Sequence, residues 1–218
     1  MPGSSTWDGW PLMVITHPQP ACGRPLDRVV AECVDAGVPA IQFRDKAADG
    51  PALASTAERL RAITNSAGAA FVVNDRLDVA LAAGADGVHL GPDDLTVSAA
   101  RDIVPPDFII GYSTDDPEEA RRAAAAGADY LGVGAVFGTR SKPGLAHEAI
   151  GPDRVRLVRE ASRLPCLGIG GITLQNAREL LDTGAGIAVL SGVMSASDPA
   201  AVVRELLRIA GGGGGCRR

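Results

Sequence analysis

The chain has 218 residues, of which 46% are hydrophobic and 22% are charged, which is ordinary for a globular protein. Its net charge of −5 argues against a nucleic-acid partner, because a nucleic-acid-binding protein presents a basic face. No apolar run reaches the roughly 20 residues that span a bilayer, and residues 1–11 lack the charged and apolar regions of a secretory signal. We therefore expect a cytoplasmic protein without a membrane partner.

Short apolar runs alternate with longer segments of helical composition along the whole chain. The apolar runs are rich in Val, Ile and Leu, which is typical of strands buried on both faces. They predict strands at Leu12–Thr16, Ala40–Arg44, Ala70–Asn74, Gly87–Leu90, Phe108–Tyr112, Tyr130–Val133, Cys166–Gly168 and Gly186–Leu190. The other segments predict helices at Leu26–Ala36, Pro51–Ser66, Leu77–Ala83, Val97–Ile103, Pro117–Ala126, Arg154–Ala161, Leu174–Thr183 and Ala200–Ile209.

Eight strand–helix units in a chain of this length predict the α/β class and a single (β/α)8 TIM barrel. We place the barrel domain at residues 12–210, between an N-terminal extension at 1–11 and a flexible, glycine-rich tail at 211–218. A doubly wound open sheet is the alternative, but it predicts a glycine-rich turn after the first strand. That position holds Thr16-His17-Pro18-Gln19-Pro20 instead.

Lysine is rare in this chain, which has two lysines, Lys46 and Lys142, against nineteen arginines. Both follow predicted strands, and the active site of a TIM barrel lies at the C-terminal ends of its strands. A compact ammonium group is not equivalent to a guanidinium group, so we interpret the two lysines as phosphate ligands rather than chance surface residues. Together with Arg44 and the hydroxyl of Ser113, they predict a diphosphate site.

Two acidic residues follow neighbouring predicted strands, Asp75 after the third and Asp94 after the fourth. Carboxylate oxygens suit Mg²⁺, whose remaining positions are filled by phosphate and water. We therefore predict that both bind Mg²⁺ beside the diphosphate, although each could instead cap the helix that follows it or form a turn. A second, metal-free site for a monophosphate is predicted at Gly170, Gly171 and Ser191, because loops after strands seven and eight bind phosphate in many barrels.

The remaining reactive residue types suggest little further chemistry. His89 lies late in the fourth predicted strand, and we expect a packed, hydrogen-bonded barrel residue there. No Ser/His/Asp arrangement or nucleophilic cysteine is evident, so we expect no covalent hydrolase chemistry. The four cysteines are widely spaced, which predicts neither a zinc site nor a disulfide framework. We expect Cys33 and Cys166 to pack as small hydrophobic residues.

Six segments carry a resemblance when they are taken together and in order: Gln42-Phe43-Arg44-Asp45-Lys46, Val73-Asn74-Asp75, Gly87–Asp94, Ile110–Thr114, Gly138–Pro143 and Gly168–Ile172. They resemble the thiamine phosphate synthase family over nearly the whole chain. The resemblance implies a (β/α)8 transferase that joins hydroxymethylpyrimidine diphosphate to hydroxyethylthiazole phosphate and releases diphosphate. It also implies a dissociative substitution assisted by Mg²⁺.

The resemblance further implies a role for each matching residue. The pyrimidine diphosphate would be held by Gln42, Arg44, Lys46, Asn74, Ser113 and Lys142. Of these, the catalytic residues would be Arg44, Lys46, Ser113 and Lys142. Mg²⁺ would be bound by Asp75 and Asp94, and the thiazole phosphate or its surroundings would be contacted by Thr139, Ser141, Gly171, Leu190 and Ser191. The chain departs from the family at Pro92, where Gln is common, and at Gly138, where Pro is common.

Two other functions stay open. A thiazole tautomerase with the same barrel would isomerise a thiazole phosphate carboxylate without metal, but it needs an acid–base residue. The loop of residues 112–115 offers no histidine for that role. The other alternative is a catalytically silent phosphate-binding barrel that acts as a regulator or assembly partner, which would not need both lysines and both carboxylates. Metal-dependent release of diphosphate would distinguish the synthase from both alternatives.

Overall fold

A computed structural model describes residues 9–20, 23–138 and 149–211, and its eight parallel strands close into a barrel. The strands are β1 (Leu12–Ile15), β2 (Ala40–Phe43), β3 (Ala70–Asn74), β4 (Gly87–Leu90), β5 (Ile109–Ser113), β6 (Tyr130–Gly134), β7 (Cys166–Ile169) and β8 (Gly186–Val189). Each strand pairs with the next in chain order, and β8 pairs with β1. The predicted TIM barrel is confirmed, and the open-sheet alternative is wrong because this sheet has no edge.

The helices follow the strands around the outside of the barrel. They are α1 (Leu26–Asp35), α2 (Gly50–Ala67), α3 (Leu77–Ala82), α4 (Val97–Arg101), α5 (Pro117–Ala125), α6 (Gly151–Ser162), α7 (Ala177–Leu181), α8 (Ser191–Met194) and α9 (Pro199–Gly211). The sequence did not predict the short helix α8. None of the helices in the described ranges combines the length and the apolar character that crossing a bilayer requires.

Helix α7 begins three residues later than predicted, because a side chain folds the preceding residues into a turn. The side-chain oxygen of Asn176 accepts a hydrogen bond from the N–H of Thr173 (2.7 Å), and its Nδ2 donates to the carbonyl of Gly171 (3.0 Å). Asn side chains compete in this way with helical hydrogen bonds. The turn holds the loop after β7 close to the barrel.

The strands separate two apolar layers. Successive residues of a strand point to opposite faces, so Leu12 and Val14 of β1 pack with the surrounding helices while Met13 and Ile15 face the barrel interior. The interior layer also contains Ala40, Val72, Tyr130, Leu167 and Ala188. The barrel is therefore filled by side chains, and a ligand would bind at an end of the barrel rather than inside it.

The end of the barrel where the strands begin is closed by Trp10. Its ring meets that of Tyr130 edge-on, with 5.5 Å between the ring centroids. A Cβ atom at Gly186 would lie 2.1 Å from the carbonyl oxygen of Trp10, so the backbone of β8 and the segment before β1 approach as closely as glycine allows. The carbonyl of Pro11 accepts a hydrogen bond from the N–H of Ile187 (3.0 Å). Trp10 and Pro11 are therefore held against the start of β8.

The two cysteines in the described ranges, Cys33 and Cys166, are buried free thiols. Burial raises the pKa of each thiol to about 12. Thiolate chemistry is therefore suppressed at both positions, because the thiolate is the reactive form. Both residues pack as small hydrophobic side chains, as predicted.

Asp129, just before β6, connects that strand to β5 and to helix α4. Its carboxylate accepts a hydrogen bond from the N–H of Ile110 (2.7 Å) and forms an ion pair with Arg101 of α4 (2.5 Å). Asp86 makes the same two kinds of contact before β4. Both aspartates follow the same residue pattern, Ala-Gly-Ala-Asp, at residues 83–86 and 126–129. The Ala-Gly-Ala-Asp repeat therefore has a structural role, because each of its aspartates links a helix to the neighbouring strand.

Replacement of Asp129 by Ala should lower the free energy of unfolding by about 1–3 kcal/mol, because it removes an acceptor from a backbone N–H and from an arginine. Urea denaturation measures the loss. Asp153→Ala is the matched control, since Asp153 pairs with Arg156 on the exposed face of α6. Exposed pairs of this kind contribute about 0–1 kcal/mol. Equal losses in the two variants would contradict the assigned role of Asp129.

Candidate functional site

Asp75 and Asp94 come together at the rim, by which we mean the C-terminal ends of the strands and the loops that follow them. The Nζ atom of Lys46 lies 3.0 Å from Oδ2 of Asp75. The two carboxyl groups are within hydrogen-bonding reach of each other. Burial, and then the negative charge of Asp75, raise the pKa of Asp94 above its ordinary value, against an opposing hydrogen bond from the N–H of Gly91. Two carboxylates in such proximity form a site suited to a cation.

The backbone of Asp75 is held in an unusual conformation. Its φ of +63° lies in the left-handed region, which few residues other than glycine adopt. The N–H of Asp75 donates to the carbonyl of His89 (2.8 Å), and the N–H of Arg76 donates to the carbonyl of Asn74 (2.7 Å). These bonds turn the chain sharply at the end of β3 and tie it to β4. Strain of this kind is frequent at functional sites, where the surroundings impose it.

Asp94 is positioned by its own loop. Its Oδ2 accepts a hydrogen bond from the N–H of Gly91 (2.7 Å), and its N–H donates to the carbonyl of Gly91 (3.2 Å). Pro92 lacks an N–H, but the N–H that holds this carboxylate belongs to Gly91. The replacement of the family's common Gln by Pro92 therefore leaves these two bonds in place.

Neither carboxylate caps the helix that follows it. The N-cap residue of α3 is Arg76, which makes no side-chain capping bond. The N-cap residue of α4 is Thr96, whose hydroxyl oxygen accepts a hydrogen bond from the N–H of Ala99 (3.3 Å). Helix capping is therefore wrong for both Asp75 and Asp94, whereas turn formation is confirmed for Asp94, whose carboxylate accepts the hydrogen bond from the N–H of Gly91.

Arg44 follows β2, and its backbone is fixed by a residue that the sequence did not single out. The N–H of Arg44 donates to the hydroxyl oxygen of Thr16 (2.9 Å), and the N–H of Thr16 donates to the carbonyl of Gln42 (2.9 Å). Thr16 is fully buried. These bonds continue the pairing of β1 and β2 beyond the ends of both strands and hold Arg44 at the rim.

Four polar side chains form a connected row inside the barrel, which runs from Tyr130, beside Trp10, to Ser113 at the end of β5. We call Gln42, Tyr130, His89 and Ser113 the inner polar row. The hydroxyl of Tyr130 lies 2.9 Å from Nδ1 of His89, and Nε2 of His89 lies 2.8 Å from Oγ of Ser113. The side chain of Gln42 hydrogen-bonds to the Tyr130 hydroxyl, and its Nε2 lies 3.6 Å from Sδ of Met13. The expectation that His89 is a packed, hydrogen-bonded barrel residue is confirmed.

The loop after β7 packs closely against the loop after β6. Gly170 and Gly171 both have positive φ angles, +99° and +66°. A Cβ atom at Gly171 would lie 2.6 Å from the carbonyl oxygens of Phe137 and Gly138, and one at Gly170 would lie 2.7 Å from Cβ of Ala135. Glycine is therefore required at both positions by the local backbone, whatever ligand the loop binds.

The end of β8 brings two further predicted residues to the rim. Leu190 is half-buried and packs against the apolar layer inside the barrel. Ser191 is exposed and begins α8. Both residues lie one strand away from Gly171, because β7 and β8 are paired. The second predicted anion site is thus a contiguous part of the rim.

Three predicted residues, Thr139, Ser141 and Lys142, lie outside the described residues. The description stops at Gly138 and resumes at residue 149. The φ of Gly138 is +78°, which the ring of a proline forbids. Gly138, which stands where the family commonly has proline, therefore has a backbone conformation that proline could not adopt.

The other predicted residues lie at the rim or directly below it: Gln42, Arg44, Lys46, Asn74, Asp75, Asp94, Ser113, Gly171, Leu190 and Ser191. Sequence reasoning did not identify Thr16 or Tyr130 as parts of this region. Two glycines, Gly111 and Gly132, were the available signal, because a glycine inside a strand often marks a close approach by another group.

Comparison with known proteins places the chain in one family. A family model described as thiamine monophosphate synthase matches residues 12–193. The thiamine-phosphate synthase of Haloarcula marismortui is 48% identical over 200 residues, which are 90% of this chain and 95% of that protein. That of Natronomonas pharaonis is 45% identical over 197 residues, 89% of this chain and 92% of that protein.

A solved structure agrees. The thiamine phosphate pyrophosphorylase of Pyrococcus furiosus superposes with a TM-score of 0.83 at 42% identity, and the match covers 92% of this chain and 95% of that one. The similarity therefore extends over sequence and fold alike, across nearly the full length of both proteins. The chain belongs to the thiamine monophosphate synthase family, which comprises transferases of thiamine biosynthesis.

Proposed function

We propose that this chain joins hydroxymethylpyrimidine diphosphate to hydroxyethylthiazole phosphate, forming thiamine phosphate and releasing diphosphate. The observation that carries the proposal is the group at the rim formed by Lys46, Asp75 and Asp94. A lysine 3.0 Å from one of two neighbouring carboxylates offers both a cation and a place for a metal ion. A diphosphate bound with Mg²⁺ uses both kinds of group.

The residues present fit Mg²⁺. Among the described residues there is no cluster of three or more His, Cys, Asp and Glu side chains that could hold a metal. Mg²⁺ does not need one, because it is commonly bound by one or two carboxylates with substrate phosphates and water. Asp75 and Asp94 would supply those carboxylates. When bound, the ion would neutralise charge that develops on the departing diphosphate.

The reaction breaks the bond between the pyrimidinylmethyl carbon and the diphosphate oxygen, and the electron pair leaves with the oxygen. The electron-rich aminopyrimidine can bear the resulting cation. The thiazole nitrogen then donates its lone pair to the same carbon. This nitrogen carries no proton, so the site needs no general base. The tasks of the protein are to orient the two substrates and to stabilise the leaving group.

Several residues support these tasks. Arg44 and Lys46 would place positive charge beside the diphosphate, and Ser113 would donate a hydrogen bond to it. Gln42 and Asn74 would hold the pyrimidine half of the same substrate. At the other side of the rim, the residues that would receive the thiazole phosphate are Gly171, Leu190 and Ser191, together with Thr139 and Ser141.

The test is diphosphate release from the two phosphorylated substrates, with and without Mg²⁺. We expect release to require both substrates and the metal. Replacement of Lys142 by Ala should lower kcat/KM by about 100-fold, the effect of removing one group that stabilises developing charge. The matched control is Arg156→Ala, which removes a cation from the exposed face of α6 and should leave activity unchanged.

Other outcomes would identify a different function. Tautomerisation of a thiazole phosphate carboxylate without metal, in place of diphosphate release, would establish the tautomerase alternative. Phosphate binding with neither activity would establish a silent barrel. Equal activity of the Lys142→Ala variant and the wild type would show that the second lysine has no part in the reaction.

A further inference from the structure

Glu119 of α5 holds the two residues on either side of Ser113. Its Oε1 accepts a hydrogen bond from the hydroxyl of Tyr112 (2.8 Å), and its Oε2 accepts one from the hydroxyl of Thr114 (2.6 Å). Both donors lie at the end of β5, whereas Glu119 lies in the first turn of the following helix. One carboxylate therefore connects the strand end to α5 at two points that bracket Ser113.

The two tethered side chains and the side chain of Ser113 lie on opposite faces of the strand. Tyr112 packs with the apolar layer between the strands and the helices, and Thr114 is buried. Ser113 projects to the other side, where its Oγ lies 2.8 Å from Nε2 of His89. Because successive strand residues alternate between faces, fixing Tyr112 and Thr114 on the outside also fixes the direction of the Ser113 side chain.

The sequence at the start of α5 predicts a different contact for Glu119. Asp116 is the N-cap residue, and its Oδ1 accepts a hydrogen bond from the N–H of Glu119 (2.7 Å). A glutamate three residues after such a cap ordinarily turns back to the N–H of the cap residue. Here the N–H of Asp116 donates to the hydroxyl oxygen of Thr114 instead (3.1 Å), and the Thr114 hydroxyl donates to Glu119. The carboxylate therefore contacts the strand end in a way that capping the helix does not require.

Donor and acceptor are assigned at both contacts. Burial first, and then the bond to Glu119, raise the pKa of Tyr112 to about 12, so the phenol keeps its proton near neutral pH. An ionised carboxylate only accepts hydrogen bonds, and it offers one oxygen to each hydroxyl. Hydroxyl donors to a carboxylate make short and comparatively strong bonds. A neutral amide at position 119 would have one oxygen for two hydroxyls and could not replace both bonds.

The same segment is attached to β6 by its backbone. The N–H of Thr114 donates to the carbonyl of Gly132 (3.1 Å), which continues the pairing of Ser113 with Gly132 beyond the end of β5. The strand end is thus held to the neighbouring strand by its backbone and to α5 by its side chains. Oγ of Ser113 takes part in none of these bonds, so it stays available for contacts inside the barrel and at the rim.

We propose that Glu119 is a positioning residue that holds the Ser113 hydroxyl in place to bind an oxygen of the diphosphate. This role rests on the proposed function, because it takes Ser113 to be a ligand of the diphosphate. Glu119 lies on the outer side of the strand and acts through Tyr112 and Thr114, without touching the substrate. A hydrogen bond to a leaving anion is effective when its geometry is fixed in advance, and a small displacement of the donor weakens it.

The first test is a double-mutant cycle on the affinity for inorganic diphosphate with Mg²⁺, measured by calorimetry. Ser113→Ala should weaken binding by about 10-fold, the effect of losing one hydrogen bond to a charged group. Glu119→Gln keeps the size of the side chain and should weaken binding by about 5-fold. In the Ser113→Ala background the same replacement should have no further effect. Independent losses that multiply, or no loss in Glu119→Gln alone, would overturn the proposal.

Glu118→Gln is the matched control for charge. Glu118 is the neighbouring residue in the first turn of α5, is exposed and pairs with Arg121. Both replacements remove one negative charge, which by itself favours the binding of an anion, so a weaker affinity in Glu119→Gln cannot arise from the charge. Glu118→Gln should bind diphosphate within about twofold of wild type. An equal weakening in the two variants would overturn the proposal.

The second test compares two replacements of Thr114. Thr114→Ser keeps the hydroxyl and loses a methyl group, and it should bind diphosphate within about twofold of wild type. Thr114→Val keeps the shape and loses the hydroxyl, and it should bind about 5-fold more weakly. A role in packing alone would reverse this order, because Thr114 is buried. The reverse order, or equal affinities, would overturn the proposal.

Tyr112→Phe decides the question if melting temperatures show that Thr114→Val does not fold. It keeps the ring and removes the other hydroxyl that donates to Glu119. We expect binding of diphosphate to weaken by about 3-fold, and the loss to disappear in the Ser113→Ala background. A purely structural role would lower the melting temperature without changing the affinity, and that result would overturn the proposal.

These tests separate the role of Glu119 from the proposed function, because none of them requires turnover. A protein that shows the expected coupling to Ser113 but makes no thiamine phosphate would retain the positioning role and lose the proposed reaction. A protein that makes thiamine phosphate but shows independent losses would retain the reaction and lose the positioning role. A wild-type protein that does not bind diphosphate would overturn the positioning role, since Ser113 would have no anion to meet.

Discussion

Replacement of Asp94 by Asn should lower kcat/KM by about 10³-fold, since a bound metal ion contributes several kcal/mol of charge stabilisation in the transition state. The amide keeps an oxygen that can accept the hydrogen bond from the N–H of Gly91, so the loop should keep its shape. The variant loses the negative charge that Mg²⁺ needs. Steady-state kinetics over a range of Mg²⁺ concentrations measures the effect, and the concentration required for half-maximal activity should rise.

The same replacement should not destabilise the metal-free protein. A carboxyl group whose pKa is raised in the folded state, as that of Asp94 is, binds a proton more readily folded than unfolded. The folded protein therefore gains stability as the pH falls through that raised pKa and loses it above. Near neutral pH the ionised Asp94 beside Asp75 is thus a cost that Asn removes. We expect the melting temperature in a chelator to be unchanged or higher, while activity falls.

The adjacent Asp93 provides the matched control. It is exposed and also follows β4, but Asp94 is the residue that faces Asp75 and the Gly91 N–H. Asp93→Asn should leave both activity and the Mg²⁺ requirement within about twofold of wild type, as is usual for surface substitutions. Similar losses in the two variants would mean that the loop as a whole, and not the Asp94 carboxylate, is responsible.

The fold could be predicted because its signals are local. Each strand is a short run that the barrel buries on both faces, and each such run stands out against the helical segments around it. The boundaries differ by up to three residues where tertiary contacts decide them. Thr16 lies just after β1, where its hydroxyl oxygen accepts a hydrogen bond from the N–H of Arg44. Helix α7 begins later than predicted because the side chain of Asn176 hydrogen-bonds to the backbone of Gly171 and Thr173 in the preceding loop.

For the candidate site too, some residues could be predicted from the sequence and others could not. Residues at strand ends, such as Asp75 and Asp94, could be predicted because barrel topology brings strand ends to one rim. The inner polar row could not, because it depends on which side chains face inward from four different strands. Tyr130 was assigned only to a strand, and its contact with His89 spans 41 residues of sequence. The left-handed backbone of Asp75 is likewise imposed by a bond to β4.

In the loop after β7, both close backbone contacts and a positive φ require glycine at position 171, and Gly171→Ala tests this requirement. A methyl group there would meet two backbone carbonyl oxygens at 2.6 Å, and the backbone has a φ of +66°. Backbone atoms cannot move aside as a flexible side chain can, so the loop must shift. A displacement of about 1 Å at a binding loop costs on the order of 100-fold in rate. We expect a loss of that size in kcat/KM for the thiazole phosphate.

Gly84→Ala separates the clash from the backbone strain. Gly84 also has a positive φ, +60°, but a methyl group there would have nothing within 4 Å. Both variants should lose about 1–2 kcal/mol of stability from the left-handed conformation, and Gly171→Ala should lose about 1–3 kcal/mol more from the clash. Activity should fall only in Gly171→Ala, and its affinity for inorganic diphosphate should change little, because that site lies across the rim. Equal activity in the two variants would show that the loop after β7 does not hold the second substrate.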